Sequence, residues 1–189
     1  MTIRLNAKEL RGVEEQQAGK VVQAVKRNPL YLILENVYDT YNVGGLFRLA
    51  DALAVEKIYL CGEMETPPNH KIKKASIGTY KIVPWEYKKT AQEAIEELKQ
   101  KKVTIYAVEQ SAHSQPYTSV KYSFPLAFLV GNETSGVTAE TLQLCDAVVE
   151  IPMWGLNKSL NVIVSAAIVG YAIIGSLRSS GKMIDREGE

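Results

Sequence analysis

Apolar runs of strand length alternate with segments of helical period along most of this chain, and that alternation constrains the fold more than any other feature. Tyr31–Val37 (YLILENV), Lys57–Cys61 (KIYLC), Val103–Val108 (VTIYAV), Leu126–Val130 (LAFLV) and Ala147–Ile151 (AVVEI) read as buried strands. Between them, Leu46, Phe47, Leu49, Ala50 and Leu53 recur at helical spacing after an Asn42–Gly45 loop. Thr90-x-x-Glu93 is a capping box opening a helix through Leu98, and Thr138–Leu144 reads as a short helix. Upstream, Asn6 with Glu9 can cap a helix whose stripe, Leu10, Val13, Val21, Ala24 and Val25, runs to a break at Pro29, with Gly12 and Gly19 weighing against it. Leu160–Leu177 is apolar almost all round; Asn161, Ser165, Arg178 and its modest length make it a buried core helix, with Ser159 as its expected N-cap. Strands alternating with helices predict an α/β fold, a mainly parallel sheet flanked by helices on both faces. Pro67–Lys74 and Ser111–Pro125 lack periodicity and are expected to be mobile or substrate-facing loops.

With 189 residues, 46% of them hydrophobic, the expected organisation is one domain, residues 1–189, with a short N-terminal helical extension over about 1–29. Arg4, Lys8, Glu9, Arg11 and Glu14 stand where a signal peptide would be apolar, and no membrane-length uncharged stretch occurs, so the expected location is cytoplasmic, with no membrane. Cys61 and Cys145 lack C-x-x-C spacing and are expected as buried, inert thiols rather than a disulfide or a metal site. A formal net charge of +1 argues against a protein that coats nucleic acid nonspecifically. It leaves room for a local basic face: Lys71, Lys73, Lys74, Lys81, Lys88 and Lys89 cluster mid-chain, either as solvated surface or as RNA phosphate contacts.

Several chemistries lose their signal. There is no G-x-G-x-x-G after the first strand, no G-x-x-x-x-G-K-[ST], no H-E-x-x-H and no G-x-S-x-G. His70 and His113 read as loop histidines, so neither a histidine triad nor a metal cluster is expected.

What remains is concentrated in NVGGLFRLADA (Asn42–Ala52) and in LVGNETSGV and IPMWGLNKSLNV between Leu129 and Val162. Gly131, Asn132 and Glu133 directly follow a strand and Gly155 lies in the loop after the last one; either these glycines only make tight turns, or both loops expose backbone groups to a small ligand. Arg48 falls one turn after Gly44 and Gly45 on an otherwise apolar helix, and a desolvated Arg has a phosphate or carboxylate partner. Physical reasoning stops at an anion-binding pocket.

These three motifs, in this order and spacing, resemble the SpoU (TrmH-like) branch of the SPOUT superfamily, RNA 2′-O-ribose methyltransferases that use S-adenosylmethionine, over about Tyr31 to Leu177. The resemblance implies a SPOUT (alpha/beta knot) fold with a C-terminal trefoil knot, a homodimer, and tRNA or rRNA as substrate and partner, with no metal. It places the catalytic set at Arg48, Asn42, Glu133, Ser159 and Asn161. The implied cofactor loops are Leu129, Val130, Gly131, Asn132 and Glu133; Ile151, Pro152, Met153 and Gly155; and Ser159 and Leu160. Methyl transfer needs a ribose oxygen in line with the methyl carbon and loss of the hydroxyl proton, and a free guanidinium is a poor general base. Arg48 is therefore expected to orient ribose and phosphate first, with proton removal as its second role, and to reach the other subunit's cofactor loops. Glu133 also reads as a carboxylate tethering its loop, and Ser159 and Asn161 as a helix cap and first-turn polar residue.

Thr134 follows Glu133 where many relatives carry a small residue, and TYNVGG precedes Arg48 in place of a Pro-containing approach. The short ends, with Lys8, Arg11, Lys20, Lys26 and Arg27 before the sheet and Arg178, Lys182 and Arg186 after it, suggest no separate RNA-binding domain and a closer likeness to enzymes acting on the tRNA D-loop guanosine. The alternatives are a catalytically silent RNA-binding relative, against which the intact motif residues argue, and a methyltransferase on a non-RNA substrate.

Overall fold

The structure, a computed structural model, describes residues 5–14, 18, 19, 22 and 25–184. Arg4, Lys20, Val21, Ala24 and Arg186, used above, lie outside them. Strands β1 (Asn28–Glu35), β2 (Val55–Cys61), β3 (Trp85–Lys88), β4 (Thr104–Val108), β5 (Gln115–Pro116), β6 (Leu126–Val130) and β7 (Ala147–Glu150) form one sheet in the order β3-β2-β1-β6-β4-β7-β5. Every pairing between them is parallel. The α-helices whose bounds are described are α1 (Ala7–Gly12), α2 (Thr40–Ala52), α3 (His70–Ser76), α4 (Ala91–Gln100), α5 (Ala139–Leu144) and α6 (Val162–Ser179).

Alternation along the strands divides the core. Leu32, Leu34, Phe128 and Val130 pack on one face with Val43, Leu46 and Phe47 of α2 and Ala166, Val169 and Ile173 of α6. Ile33, Ala127 and Leu129 face the other way, onto Ala94, Ile95 and Leu98 of α4. With both faces covered, the strands read as apolar runs rather than alternating ones. A fully buried side chain such as Phe128 contributes roughly 1.5–3 kcal/mol through the water it sheds.

Several expectations need correction. Asn42–Gly45 is not a loop: α2 begins at Thr40, capped by Asp39, whose side chain accepts from the Tyr41 amide. Its paired glycines are packing glycines. A Cβ on Gly44 would sit 2.5 Å from the Ala75 Cβ and 3.0 Å from the Ile72 carbonyl oxygen, so α2 and α3 touch there. A Cβ on Gly45 would meet Ile163 of α6. The N-terminal helix is interrupted after Gly12, because Val13 turns to an extended conformation, and residues 18, 19 and 22 are helical again; the Asn6–Glu9 capping box is present. The Pro67–Lys74 segment holds the start of α3, capped by Asn69, so His70 opens a helix. α6 is capped by Asn161, not Ser159, and only one side of it is buried: Val164 and Tyr171 are exposed. By length and composition α6 could cross a membrane, but Val162, Ala166, Val169, Gly170, Ile173 and Leu177 pack it into the protein. The edge strand β3 (WEYK), half charged, had no apolar signal and was not expected.

The mid-chain lysines also divide. Lys88 pairs with Glu86 and Glu97, and Lys81 donates to the carbonyls of Arg11 and Val13, while Lys71, Lys73, Lys74 and Lys89 are exposed. Cys61 is buried and Cys145 half-buried, with burial pushing the Cys145 thiol up to about 12.

Candidate active site

A cleft of about 490 Å³ opens at the carboxyl ends of β4, β6 and β7. The chain runs outward from β1 through β2 to β3 and then crosses to the other half of the sheet, where β6, β4, β7 and β5 follow one another out of sequence order. The carboxyl ends of strands beside such a crossing are where open α/β sheets leave a crevice for a ligand. Val108, Val130, Ile151, Met153 and Leu160 give the lining an apolar part; Glu109, Gln110, Asn132, Ser159 and Asn161 give it polar groups.

The loop after β6 is closed on itself. Asn132 and Gly136 exchange both backbone hydrogen bonds (3.0 and 2.9 Å), and Asn132 Oδ1 accepts from the amides of Thr134 and Ser135. Asn132 Nδ2 donates to the Asn36 carbonyl at 2.8 Å, tying the turn to the end of β1. Gly131 is required by this closure, since a Cβ there would collide with the Gly136 backbone. Beyond it, the buried Glu35 carboxylate accepts from the Thr138 amide at 3.0 Å and from the Thr138 and Thr141 hydroxyls, holding the start of α5.

Glu133 reaches out of the same turn to the start of α2. It accepts from the amides of Tyr38 and Asp39, both at 3.2 Å, and from Asn42 Nδ2 at 2.9 Å. Asn42 Oδ1 in turn accepts from Asn161 Nδ2 at 3.1 Å. Burial pushes the Glu133 carboxyl up, but the hydrogen bonds from Asn42 and the neighbouring amides outweigh it and hold the group below the usual carboxylate range. One polar chain thus joins residues from all three sequence motifs.

Of the expected site residues, Val130, Gly131, Asn132, Glu133, Ile151, Met153, Ser159, Leu160 and Asn161 line the cleft. Leu129 does not: it is fully buried against the α4 side of the core, the other register of β6. Pro152 and Gly155 are outside the lining, and a Cβ on Gly155 would meet nothing, so no close approach demands glycine there. Asn42 is outside the lining and bonds to Glu133 and Asn161, which are within it. Arg48 is exposed, not desolvated, and among the described residues its guanidinium has no partner and does not reach this chain's cleft. Glu109, Gln110, Asn157 and Lys158 were not expected. The signal for the first two was available: they follow β4 as Gly131 follows β6.

Residues 29–171 match the SpoU rRNA Methylase family. A tRNA (guanosine(18)-2′-O)-methyltransferase of Thermus thermophilus is 33% identical over 145 residues, covering 76% of this chain and 74% of that protein. A 23S rRNA (guanosine-2′-O-)-methyltransferase of Neisseria meningitidis is 31% identical over 149 residues; the match covers 79% of this chain but 59% of that longer protein. Among solved structures, the A. aeolicus TrmH/SpoU tRNA modifying enzyme superposes with a TM-score of 0.77 at 25% identity, covering 92% of this chain and 90% of that one. An AdoMet-bound rRNA methyltransferase from Sinorhizobium meliloti gives 0.73 at 25% identity, over 90% and 60%.

Proposed function

The chain belongs to the SpoU rRNA methylase family, and we propose that it transfers a methyl group from S-adenosylmethionine to a ribose 2′-hydroxyl of RNA. The observation that carries this reading is the Asn161–Asn42–Glu133 hydrogen-bond chain, which locks the three motifs together at the edge of a cleft of cofactor size. The lining suits the cofactor: apolar side chains for the adenine, polar groups in the turns, and the exposed Ser159 hydroxyl beside them. S-adenosylmethionine held there supplies an electrophilic methyl group.

The chain's own residues then divide the work. Asn42 and Glu133 spend their polar atoms on each other, on Asn161 and on the start of α2, so they position rather than react; Asn161 caps α6 through Oδ1 and holds Asn42 through Nδ2. Arg48, exposed and unpaired among the described residues, is the group available to orient ribose and phosphate. It does so for the cleft of a second copy. The unburied side of α6, with Val164 and Tyr171, and the exposed Tyr38 and Tyr41 at the start of α2 offer apolar groups suited to a homodimer contact. α6 follows β7 and returns to pack on α2, β4 and β6, which supports the C-terminal trefoil knot of the family.

Within RNA, tRNA is the favoured substrate, down to the D-loop guanosine, because the relative at 33% identity is a tRNA (guanosine(18)-2′-O)-methyltransferase. We read the protein as a soluble cytoplasmic enzyme. Labelled methyl transfer to bulk tRNA and to rRNA tests the proposal: product in tRNA, lost on mutating Arg48, is expected, and no product with any RNA overturns it.

A further inference from the structure

Glu109 and Gln110 line the cleft but belong to none of the three motifs. They leave the end of β4 between the turn after β6 and the segment leading to α6, and they are bonded to both. Glu109 Oε2 accepts from the Val137 amide at 2.9 Å, and Oε1 accepts from the Gln110 amide at 2.8 Å. Gln110 Nε2 donates to the Lys158 carbonyl at 2.7 Å. The fit on the first side is close: Gly136 has φ +69°, and a Cβ there would strike Glu109 Oε2. Downstream the strand end stays tied, because Ser114 Oγ donates to Glu150 Oε2 at 2.7 Å and β5 pairs with β7.

The segment 153–160 is otherwise loosely held. Its residues from Trp154 to Leu160 are exposed, and Ser159 N to Asn157 Oδ1, at 3.4 Å, is a contact within the segment itself. Among the described residues, Gln110 provides the one side-chain hydrogen bond that reaches it from another element.

We propose that Glu109 and Gln110 are positioning residues: a strap that fixes the separation of the 131–137 turn and the 157–160 segment, and with it the affinity for cofactor rather than the rate of methyl transfer. The affinity part rests on the cofactor assignment above; the strap itself does not. Net loss of one hydrogen bond corresponds to about a five- to tenfold change in an equilibrium constant.

Backbone 15N relaxation on the ligand-free protein reads the strap directly. In Gln110→Ala and in Gln110→Glu, which keeps the size but loses the donor, order parameters of 156–160 should fall while those of β1 and β6 are unchanged. Unchanged order parameters at 156–160 overturn the strap. Calorimetry should show S-adenosylmethionine binding weakened by about five- to tenfold, with kcat at saturating cofactor within about twofold of wild type. A fall in kcat at unchanged affinity overturns the positioning role. If wild-type protein binds no S-adenosylmethionine, the proposed function falls, and the relaxation result still decides whether the strap exists.

Discussion

Asn42 Nδ2 donates to Glu133 Oε1 at 2.9 Å across 91 residues of sequence, joining the first turn of α2 to the turn after β6. Asn42 is only 6% exposed, and its other amide atom is taken by Asn161, so its replacement strands partners on two sides. Asn42→Ala should cost about 1–3 kcal/mol, at roughly 2–4 °C of melting temperature per kcal/mol, and lower methyl transfer at least about tenfold. Calorimetric melting and labelled-methyl assays check it; a variant that melts and works like wild type would remove Asn42 from the polar chain.

Glu133 makes part of this junction dependent on pH. Its folded pKa lies below the unfolded value, so its stabilisation is fully present above the unfolded carboxylate pKa of about 4.3 and is lost as pH falls through the lower folded value. Glu133→Gln should therefore melt below wild type at pH 7, and the gap should close below about pH 4. Melting curves from pH 7 to 3 on both proteins test this. A gap that stays constant across that range would mean that Glu133 acts through shape alone.

The paired glycines of α2 should respond differently to the same methyl group. At Gly45 a Cβ meets the flexible end of Ile163, which can rotate away, and Ala gains up to about 1 kcal/mol in helix propensity. At Gly44 it meets the Ala75 Cβ, the Ser76 amide and the Ile72 carbonyl, which can yield only if α3 moves. Gly44→Ala should lose about 1–3 kcal/mol, and Gly45→Ala should stay within about 1 kcal/mol of wild type. Urea unfolding of the pair decides it, equal losses being the contrary result.

These glycines also show where the sequence could be read and where it could not. The strands were legible because burial on both faces makes them continuous apolar runs, LAFLV at β6 matching its observed bounds. DTYNVGG carries no apolar period, and its helix holds through Asp39 at the cap and through Gly44 against α3, contacts that no local pattern displays. Arg48 looked desolvated because its sequence neighbours are apolar, yet the helical turn points it outward from them. The motif residues were identifiable by resemblance. Their mutual hydrogen bonding, which makes Asn42, Glu133 and Asn161 into a junction, exists only in the fold.

Outward placement of Arg48 leads to the sharpest test of the composite site. Having no partner among the described residues, Arg48 can be cut to Ala with little change in melting temperature or cofactor affinity, while transfer should fall by at least about 10²-fold. Ser165→Phe, which drives a ring into the cleft from α6, should instead abolish cofactor binding. If Arg48 serves the partner's cleft, a refolded equimolar mixture of the inactive variants contains half mixed dimers, each with one intact site, and should recover about a quarter of wild-type activity. If Arg48 serves its own cleft, each mixed dimer holds no intact site and nothing is recovered. Tyr171→Glu, a charge on the exposed side of α6, should prevent that recovery by yielding monomers in sedimentation.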